Sequence, residues 1–197
     1  MRVIAGEHKG RRLTAVPGKG TRPTTDKVKE SIFNMIGPYF DGGWVLDLYA
    51  GTGGLGIEAL SRGAERAVFV ERDAKAFAVV QQNVAACRLQ ERAELYKNDA
   101  ARALQALAKR NLQFDLVFLD PPYAQQKIAE VIATLQERDL VADGAWIVTE
   151  HDTGVKLPDR IGKCVINRSA VYGDTAVTLY EFDRDGEREE SADLLQE

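Results

Sequence analysis

The chain has few of the residues that build disulfide frameworks and metal sites. It contains two cysteines and two histidines among its 197 residues. Cys87 and Cys164 lie outside any Cys-x-x-Cys motif, and His8 and His151 are equally isolated. Zinc sites and disulfide scaffolds need several such residues at short spacings. We therefore expect two buried, reduced thiols, no metal centre, and a protein of a reducing compartment, the cytoplasm.

Long apolar runs and repeated segments are also absent. No apolar run approaches the ~18–20 residues that a membrane-spanning helix needs, and no charged, apolar and small-residue succession typical of a signal peptide opens the chain. We find no internal repeat and no low-complexity segment. The hydrophobic content of 45% is typical of a globular protein with a sizeable core. At ~150 residues per domain, the chain has room for one compact enzyme domain plus extensions.

Charge is distributed unevenly along the chain, although the net charge is only −4. Residues 1–36 hold eight basic and three acidic side chains, a net charge of +5. Residues 183–197 hold seven acidic and two basic side chains, a net charge of −5. The acidic end is typical of a solvated tail or a frayed helix, and we assign it no function.

The basic N-terminal segment has a pattern of its own. Residues 2–6 and 11–16 alternate like a small hairpin around His8-Lys9-Gly10, and a loop follows. Thr24 or Thr25 can cap a helix that runs to about Met35. Basic side chains on a hairpin and loop suit contacts with phosphates, and an ordinary solvated face is the alternative.

A glycine-rich turn follows the first apolar strand of the predicted sheet. This strand ends at Asp47, a helix is predicted around residues 55–60, and Gly51-x-Gly53-x-x-Gly56 lies between them. The glycine spacing matches the dinucleotide fingerprint. Asp47 argues against NAD, because a carboxylate at this strand end repels a pyrophosphate but holds an amino group. A cationic nucleoside that bears an amino acid fits better, and S-adenosylmethionine is such a molecule.

Two more carboxylates follow the next two predicted strands. Residues 67–70 form a short apolar strand before Glu71, and a strand near residues 93–97 precedes Asp99. Glu71 suits the two hydroxyls of a ribose, and Asp99 suits the amine of an adenine. Either acid alone is equally typical of a solvated strand end. Together with Asp47 they predict three acids in the crevice at the carboxyl ends of the strands, where open α/β sheets bind ligands.

Asp120-Pro121-Pro122-Tyr123 is the most informative motif. It follows residues 114–119, whose large apolar side chains predict a buried strand. The prolines cannot donate ladder hydrogen bonds, so the chain leaves the sheet in a stiff, extended conformation. The carboxylate and the prolyl carbonyls then lie as acceptors beside an aromatic ring. Such a site suits a planar group that carries an amine, such as a nucleobase; a proline-ended strand with a packed tyrosine is the alternative.

The remaining pattern alternates helices with strands. Helices are predicted at 74–86, 100–109 and 127–136, and strands at 145–150, 163–171 and 175–182. The last two strands form a hairpin through Tyr172-Gly173-Asp174. Helix–strand alternation followed by a hairpin indicates the α/β class, with a mainly parallel sheet and one antiparallel edge strand.

These motifs resemble those of the class I S-adenosylmethionine methyltransferases. More narrowly, the chain resembles the bacterial RsmD family, which methylates the exocyclic N2 of a guanine in small-subunit (16S) ribosomal RNA. The similarity spans about residues 1–182. It is carried by residues 47–59, Ser61-Arg-Gly-Ala, Asp120-Pro-Pro-Tyr, Arg2-Val-Ile-Ala-Gly, Lys9-Gly-Arg-Arg-Leu, residues 21–34 and Tyr172-Gly-Asp-Thr.

The resemblance implies a Rossmann-like sheet of strand order 3-2-1-4-5-7-6, with strand 7 antiparallel, flanked by helices. Residues 1–36 would be a basic hairpin and helix extension, 37–182 the methyltransferase domain, and 183–197 the acidic tail. It implies binding of S-adenosylmethionine by Asp47, Tyr49, Gly51, Thr52, Gly53, Glu71, Arg72, Asp99 and Ala100. Catalytic roles fall to Asp120, Pro121 and Tyr123, and contacts with 16S ribosomal RNA to Lys9, Arg11, Arg12, Arg22 and Thr24.

Three other functions stay open from the residues alone. A DNA adenine-N6 or cytosine-N4 methyltransferase would share the acidic-Pro-Pro-aromatic motif, but such enzymes usually need a larger recognition region. A protein methyltransferase that acts on glutamine presents a similar amide. A non-catalytic RNA-binding assembly factor could keep the fold for structure alone, against which the intact Asp47, Glu71 and Asp120 argue. We expect a monomer whose substrate is a partly assembled small ribosomal subunit.

Overall fold

The computed structural model describes residues 1–18, 24–122 and 127–186 of the chain. The described helices are α1 (Asp26–Ile36), α2 (Gly54–Ser61), α3 (Ala74–Ala86), α4 (Ala100–Ala108) and α5 (Ile128–Glu137), with a short 3₁₀ helix at Gln90–Arg92. The described strands are β1 (Trp44–Asp47), β2 (Arg66–Glu71), β3 (Ala93–Lys97), β4 (Phe114–Leu119), β5 (Val141–Asp152), β6 (Arg160–Ile161), β7 (Cys164–Tyr172) and β8 (Thr175–Phe182). None of the described helices is long and apolar enough to cross a membrane.

The strands form one mixed sheet in the order β3-β2-β1-β4-β5-β8-β7-β6. β1 to β5 pair in parallel, and β8 is antiparallel to both of its neighbours. With β7 and β8 as the sixth and seventh strands, the expected order 3-2-1-4-5-7-6 is confirmed. The antiparallel strand β8 lies inside the sheet rather than at its edge, where the two-residue strand β6 pairs antiparallel with β7. The connection from β5 to β7 leaves room for one strand, and the tight turn at residues 173–174 brings β8 back into that space.

Two hydrophobic clusters cover the two faces of the sheet. Along β4, Leu116 and Phe118 belong to one cluster, with side chains of α1, α2 and α3. Val117 and Leu119 belong to the other cluster, with side chains of α4 and α5. This alternation follows from the two-residue period of a strand, and both faces are apolar because helices cover both. The covered sheet gives the strand ends fixed positions.

The N-terminal hairpin is present, but its ladder is short. Arg2 and Arg12 form a single antiparallel bridge, and the Val3 amide donates to the Arg11 carbonyl at 2.9 Å. Val3 and Leu13 are buried in the cluster that contains the apolar face of α1. The hairpin therefore packs on the sheet-covering helices through two apolar side chains, rather than through an extended strand pairing.

A buried carboxylate on α2 attaches the hairpin to the rest of the molecule. Glu58 is fully buried and accepts hydrogen bonds from the Ile4 amide at 3.0 Å and the Ala5 amide at 3.2 Å. The Arg62 Nε donates to it at 3.0 Å, and the Lys29 Nζ lies 3.6 Å from it. Two cations and two backbone donors thus surround one anion, which satisfies a group that would otherwise be costly to bury.

The two cations of this network reach further partners. Lys29 of α1 is fully buried, and its Nζ donates to the Arg2 carbonyl at 2.6 Å. Burial lowers the pKa of Lys29, and the nearby Glu58 carboxylate opposes that change. The guanidinium of Arg62 lies 4.8 Å from the centre of the Phe33 ring. The network therefore joins the hairpin, α1 and α2 across the space between them.

We predict that Glu58→Gln destabilises the protein by about 3–5 kcal/mol, because it leaves two buried cations without a counter-ion. Urea denaturation measures this change. Glu30→Gln, an exposed acid on α1, is the control and is expected to change stability by less than about 0.5 kcal/mol. Equal stability of the two variants would contradict the role given to Glu58.

Candidate active site

The carboxyl ends of the parallel strands bring acidic side chains to one edge of the sheet. Asp47, the last residue of β1, lies beside Phe69 of β2 and Phe118 of β4. Leu119 of β4 lies beside Thr149 of β5. The strand ends are therefore level with one another, and the residues that follow them share one crevice.

The turn between β1 and α2 needs its glycines. Gly53 has a φ of 80° and precedes the first residue of α2, a conformation that residues with a Cβ rarely adopt. At Gly56, an added Cβ would lie 2.4 Å from the Phe69 ring. Both positions confirm that the turn brings backbone close to its neighbours. The turn therefore follows a path that larger residues at these two positions would obstruct.

Asp47 is buried next to this turn. Its Oδ2 accepts a hydrogen bond from the Gly56 amide at 3.0 Å, and only 2% of the residue is exposed. Burial raises the pKa of Asp47 to about 8, and the nearby Glu71 and Glu150 carboxylates add to the effect. No cation of the described residues pairs with it. A cationic group in the crevice would stabilise its ionised form.

Glu71 holds the glycine turn against the end of β2. Its Oε2 accepts from the Gly51 amide at 2.7 Å, and its Oε1 accepts from the Asp73 amide at 2.9 Å. An ionised carboxylate has about four acceptor positions, so further donors can still bind. Arg72 follows directly and is exposed. Glu71 therefore lies where a ligand seated on the turn would meet it.

Tyr49 and Thr52 lie within the same turn. Tyr49 is half-buried against the cluster on the α4 and α5 face, and burial raises its pKa. The Thr52 Oγ1 accepts from the Gly54 amide at 3.2 Å. Both side chains therefore help to shape the turn.

Asp99 and Ala100 mark the start of α4. Asp99 is the N-cap residue, and its Oδ1 accepts from the Arg102 amide at 2.9 Å. Its Oδ2 lies 3.5 Å from the Arg102 Nε. The helix start thus uses part of the acceptor capacity of Asp99. A ligand amine would have to share this carboxylate with the helix.

Asp120 and Pro121 follow β4 into the crevice. Asp120 is half-buried and Pro121 is buried. Burial raises the pKa of Asp120 well above its usual range, and the negative charges of Glu150 and Asp47 raise it further. The predicted stacking residue Tyr123 lies outside the described residues. The Asp120 carboxylate therefore belongs to the same group of acids as Asp47.

Sequence patterns missed Glu150, which lies next to this group. It is near the end of β5, is 6% exposed, and its Oε1 accepts a hydrogen bond from the Thr24 hydroxyl at 2.7 Å. Burial raises its pKa. The available signal was a fourth acid near the end of an apolar strand, Val148-Thr149-Glu150. Thr24, predicted to contact RNA, reaches the acidic crevice through its hydroxyl, and its contact with RNA stays a prediction.

Asn83 of α3 is a second residue that sequence patterns missed. Its Nδ2 donates to the Thr52 carbonyl at 2.8 Å and to the Thr14 carbonyl at 3.0 Å. Its Oδ1 accepts from the Thr14 amide at 2.8 Å. The signal was its spacing: Asn83 follows Val79 by four residues and Val80 by three, which places it on the apolar face of the helix. Asn83 ties the glycine turn to Thr14, in the segment that leaves the basic hairpin.

Three of the predicted RNA-binding side chains lie on the hairpin surface. Lys9, Arg11 and Arg12 are exposed, and none forms an ion pair with another described residue. Arg22 lies outside the described residues. The three basic groups are therefore available to an anionic partner.

Comparisons with known proteins agree with this arrangement. The family model described as "Conserved hypothetical protein 95" matches residues 1–181. "Putative rRNA methyltransferase YlbH" from Bacillus subtilis (strain 168) is 55% identical over 180 residues, which cover 91% of this chain and 98% of that protein. "Ribosomal RNA small subunit methyltransferase D" from Escherichia coli (strain K12) is 33% identical over 187 residues, which cover 95% and 92%.

A solved structure gives the same result for the fold. "Putative methyltransferase yhhF from Escherichia coli" superposes with a TM-score of 0.79 at 33% identity and covers 93% of this chain and 98% of that chain. The similarity therefore extends over the hairpin, the glycine turn and the residues after β4.

We predict that stability falls as pH rises from about 4 to about 8. The pKa of Asp47 is about 8 in the folded protein against an ordinary 3.8, so the folded state keeps a proton that the unfolded chain releases. One such proton changes the free energy of unfolding by up to about 1.4 kcal/mol per pH unit.

Urea denaturation across this pH range measures the effect. Asp47→Asn should flatten the profile, whereas the exposed control Asp41→Asn should keep it. A profile for Asp47→Asn as steep as that of the unsubstituted protein would show that the pKa of Asp47 is not raised.

Proposed function

The chain belongs to the family described as Conserved hypothetical protein 95, the RsmD family of ribosomal RNA methyltransferases, and we propose that it methylates the exocyclic N2 of a guanine in 16S ribosomal RNA. The methyl donor is S-adenosylmethionine. One observation supports the proposal: the Asp120 carboxylate, which follows β4, lies close enough to the buried Asp47 beside the glycine turn for the charge of Asp47 to raise its pKa.

The residues around the turn fit this cofactor. Asp47 is a buried carboxylate without a described cationic partner, which suits a positively charged ligand that carries an ammonium group. Glu71 would accept hydrogen bonds from the ribose hydroxyls, and Asp99 would accept one from the adenine amine. The other contacts that we propose come from Tyr49, Gly51, Thr52, Gly53, Arg72 and Ala100. When bound, the cofactor supplies a methyl group activated by an adjacent sulfonium.

Asp120 and Pro121 would position the amine that accepts the methyl group. A guanine N2 is a poor nucleophile, because its lone pair is delocalised into the ring. Hydrogen bonds from the N2–H groups to the Asp120 carboxylate and the Pro121 carbonyl draw the nitrogen toward tetrahedral geometry and aim its lone pair. Asp120 can then take the proton that the product releases. Tyr123 would stack on the base once it has left its helix.

The hairpin would hold the RNA around the target. Lys9, Arg11, Arg12 and Arg22 supply positive charge for phosphates, which is needed on a chain whose net charge is −4. We propose an assembling small ribosomal subunit as the substrate and a cytoplasmic monomer as the enzyme. Thr24 would contact the RNA from beside the crevice, since its hydroxyl donates to Glu150.

The proposal is tested with methyl-labelled S-adenosylmethionine and unmodified small ribosomal subunits, with naked ribosomal RNA and duplex DNA as parallel substrates. Nucleoside digestion then locates the label. We expect N2-methylguanosine from the ribosomal RNA. Label in DNA adenine or cytosine, or in protein amides, would refute the proposal.

We predict that Asp120→Asn lowers kcat by about 10²–10⁴-fold, because the variant loses the proton acceptor at the reacting amine. Cofactor affinity, measured by calorimetry, should change by less than about threefold. Glu137→Gln, an exposed acid on α5, should keep full activity. A variant that loses cofactor affinity and keeps its turnover would assign Asp120 to the cofactor instead.

We predict that the double variant Arg11→Gln, Arg12→Gln weakens RNA binding and reduces the slope of log affinity against log salt by about 1–2. Each phosphate contact that the variant loses is one that no longer releases counter-ions from the RNA on binding. The control removes two exposed charges elsewhere, Lys109→Gln and Arg138→Gln, and should keep the slope. An unchanged RNA affinity in the hairpin variant would disprove the proposed role of the hairpin.

A further inference from the structure

Glu150 is a buried acid whose position serves no evident structural purpose. It is 6% exposed, and the Thr24 hydroxyl is its one hydrogen-bond donor among the described residues. No described cation faces it; the charged groups that do are the carboxylates of Asp120 and Asp47. A buried acid that only stabilises a fold normally has a cationic partner, as Glu58 has in Lys29.

The register of the sheet places Glu150 beside Asp120. Phe118 pairs with Val148 and Leu119 pairs with Thr149, so the next positions along β4 and β5 lie side by side. Neighbouring strands are about 4.8 Å apart, and side chains alternate between the faces. Asp120 and Glu150 therefore face the same side of the sheet, one strand spacing apart.

Two carboxylates that face the same side of neighbouring strands can converge on two adjacent donors of one base, and guanine offers such a pair. Its ring N1–H and its exocyclic N2–H point in the same direction from neighbouring positions of the base. We infer that Glu150 accepts the N1–H of the target guanine while Asp120 and Pro121 hold its N2 amine. This inference rests on the proposed function and makes Glu150 the residue that selects guanine.

The selection follows from which atoms carry protons. Adenine and 2-aminopurine have a lone pair at N1, which a carboxylate repels. The N1–H of a guanine gives the buried Glu150 carboxylate a further hydrogen-bond donor. An analogue without the N1 proton leaves this buried acceptor unsatisfied. Sites that hydrogen-bond one substrate group reject analogues that lack it by large factors. Glu150 therefore determines which base the enzyme accepts.

Thr24 acts through Glu150 as a positioning residue. It precedes Thr25, the N-cap of α1, and its hydroxyl occupies Oε1 of Glu150 at 2.7 Å. This hydrogen bond orients the carboxylate, and no other described residue donates a hydrogen bond to it, so Oε2 can accept from the base.

The test uses small subunits reconstituted with the mapped target guanine or with 2-aminopurine in its place. 2-Aminopurine keeps the N2 amine and lacks the N1 proton. The unsubstituted enzyme should prefer guanine by about 10²-fold or more in kcat/KM. Equal use of both bases by the unsubstituted enzyme would overturn the inference without any variant.

Glu150→Gln should reverse much of this preference, because a glutamine amide can donate to the N1 lone pair. We expect its kcat/KM to fall about 10–100-fold on guanine and to stay level or rise on 2-aminopurine. Comparing base ratios between enzymes cancels the intrinsic difference in reactivity between the two amines. An equal fall on both bases would show that Glu150 only supports the fold and would overturn the inference.

Substitutions at Thr24 provide a second set of variants. Thr24→Val should reduce the base ratio by about three- to tenfold, and Thr24→Ser, which keeps the hydroxyl, should preserve it. A ratio unchanged in Thr24→Val would overturn the positioning role. If the unsubstituted enzyme methylates no guanine, the proposed function fails together with this inference. Guanine methylation without a base preference refutes the inference alone.

Discussion

The buried Glu58 carboxylate is the contact on which the arrangement of the molecule depends. Two backbone amides of the hairpin and the Arg62 guanidinium donate to it, and the Lys29 ammonium lies 3.6 Å away. Because separating these groups would leave charges buried without partners, the hairpin, α1 and α2 behave as one unit. The same α2 begins at the glycine turn. One anion thus holds the basic hairpin and the crevice in a fixed relation.

The acids of the crevice have the opposite character. Asp47 and Glu150 are buried and Asp120 half-buried, and no cation of the described residues pairs with any of them. Burial raises the pKa of each, and repulsion from neighbouring carboxylates adds to the effect at Asp47 and Asp120, which lowers stability at neutral pH. Such groups are typical of functional sites, where ligands supply the missing donors or charge. The stable Glu58 network therefore supports a crevice that is destabilised in the free protein.

Much of the fold could be predicted because local patterns are strong in this chain. The bounds of α3, β3 and β4 agree with the predicted ones, since apolar periodicity defines each of them. β5 begins four residues earlier than predicted, because pairing of Val141 with Phe114 overrides the low strand propensity of Asp143 and Gly144. The interior place of β8 follows from the packing of distant segments, which residue patterns do not contain.

The sequence by itself determined the elements, the glycine turn and the acids at the ends of β1, β2 and β4, because each depends on neighbours along the chain. The tertiary structure alone decided that Glu150 lies beside Asp120, that Thr24 donates to Glu150, and that Asn83 ties the turn to Thr14. The hydrogen-bonded pairs among them are 31 to 126 residues apart along the chain. Only the register of the sheet and the packing of α1 and α3 bring such groups together, since burial selects partners by position in space.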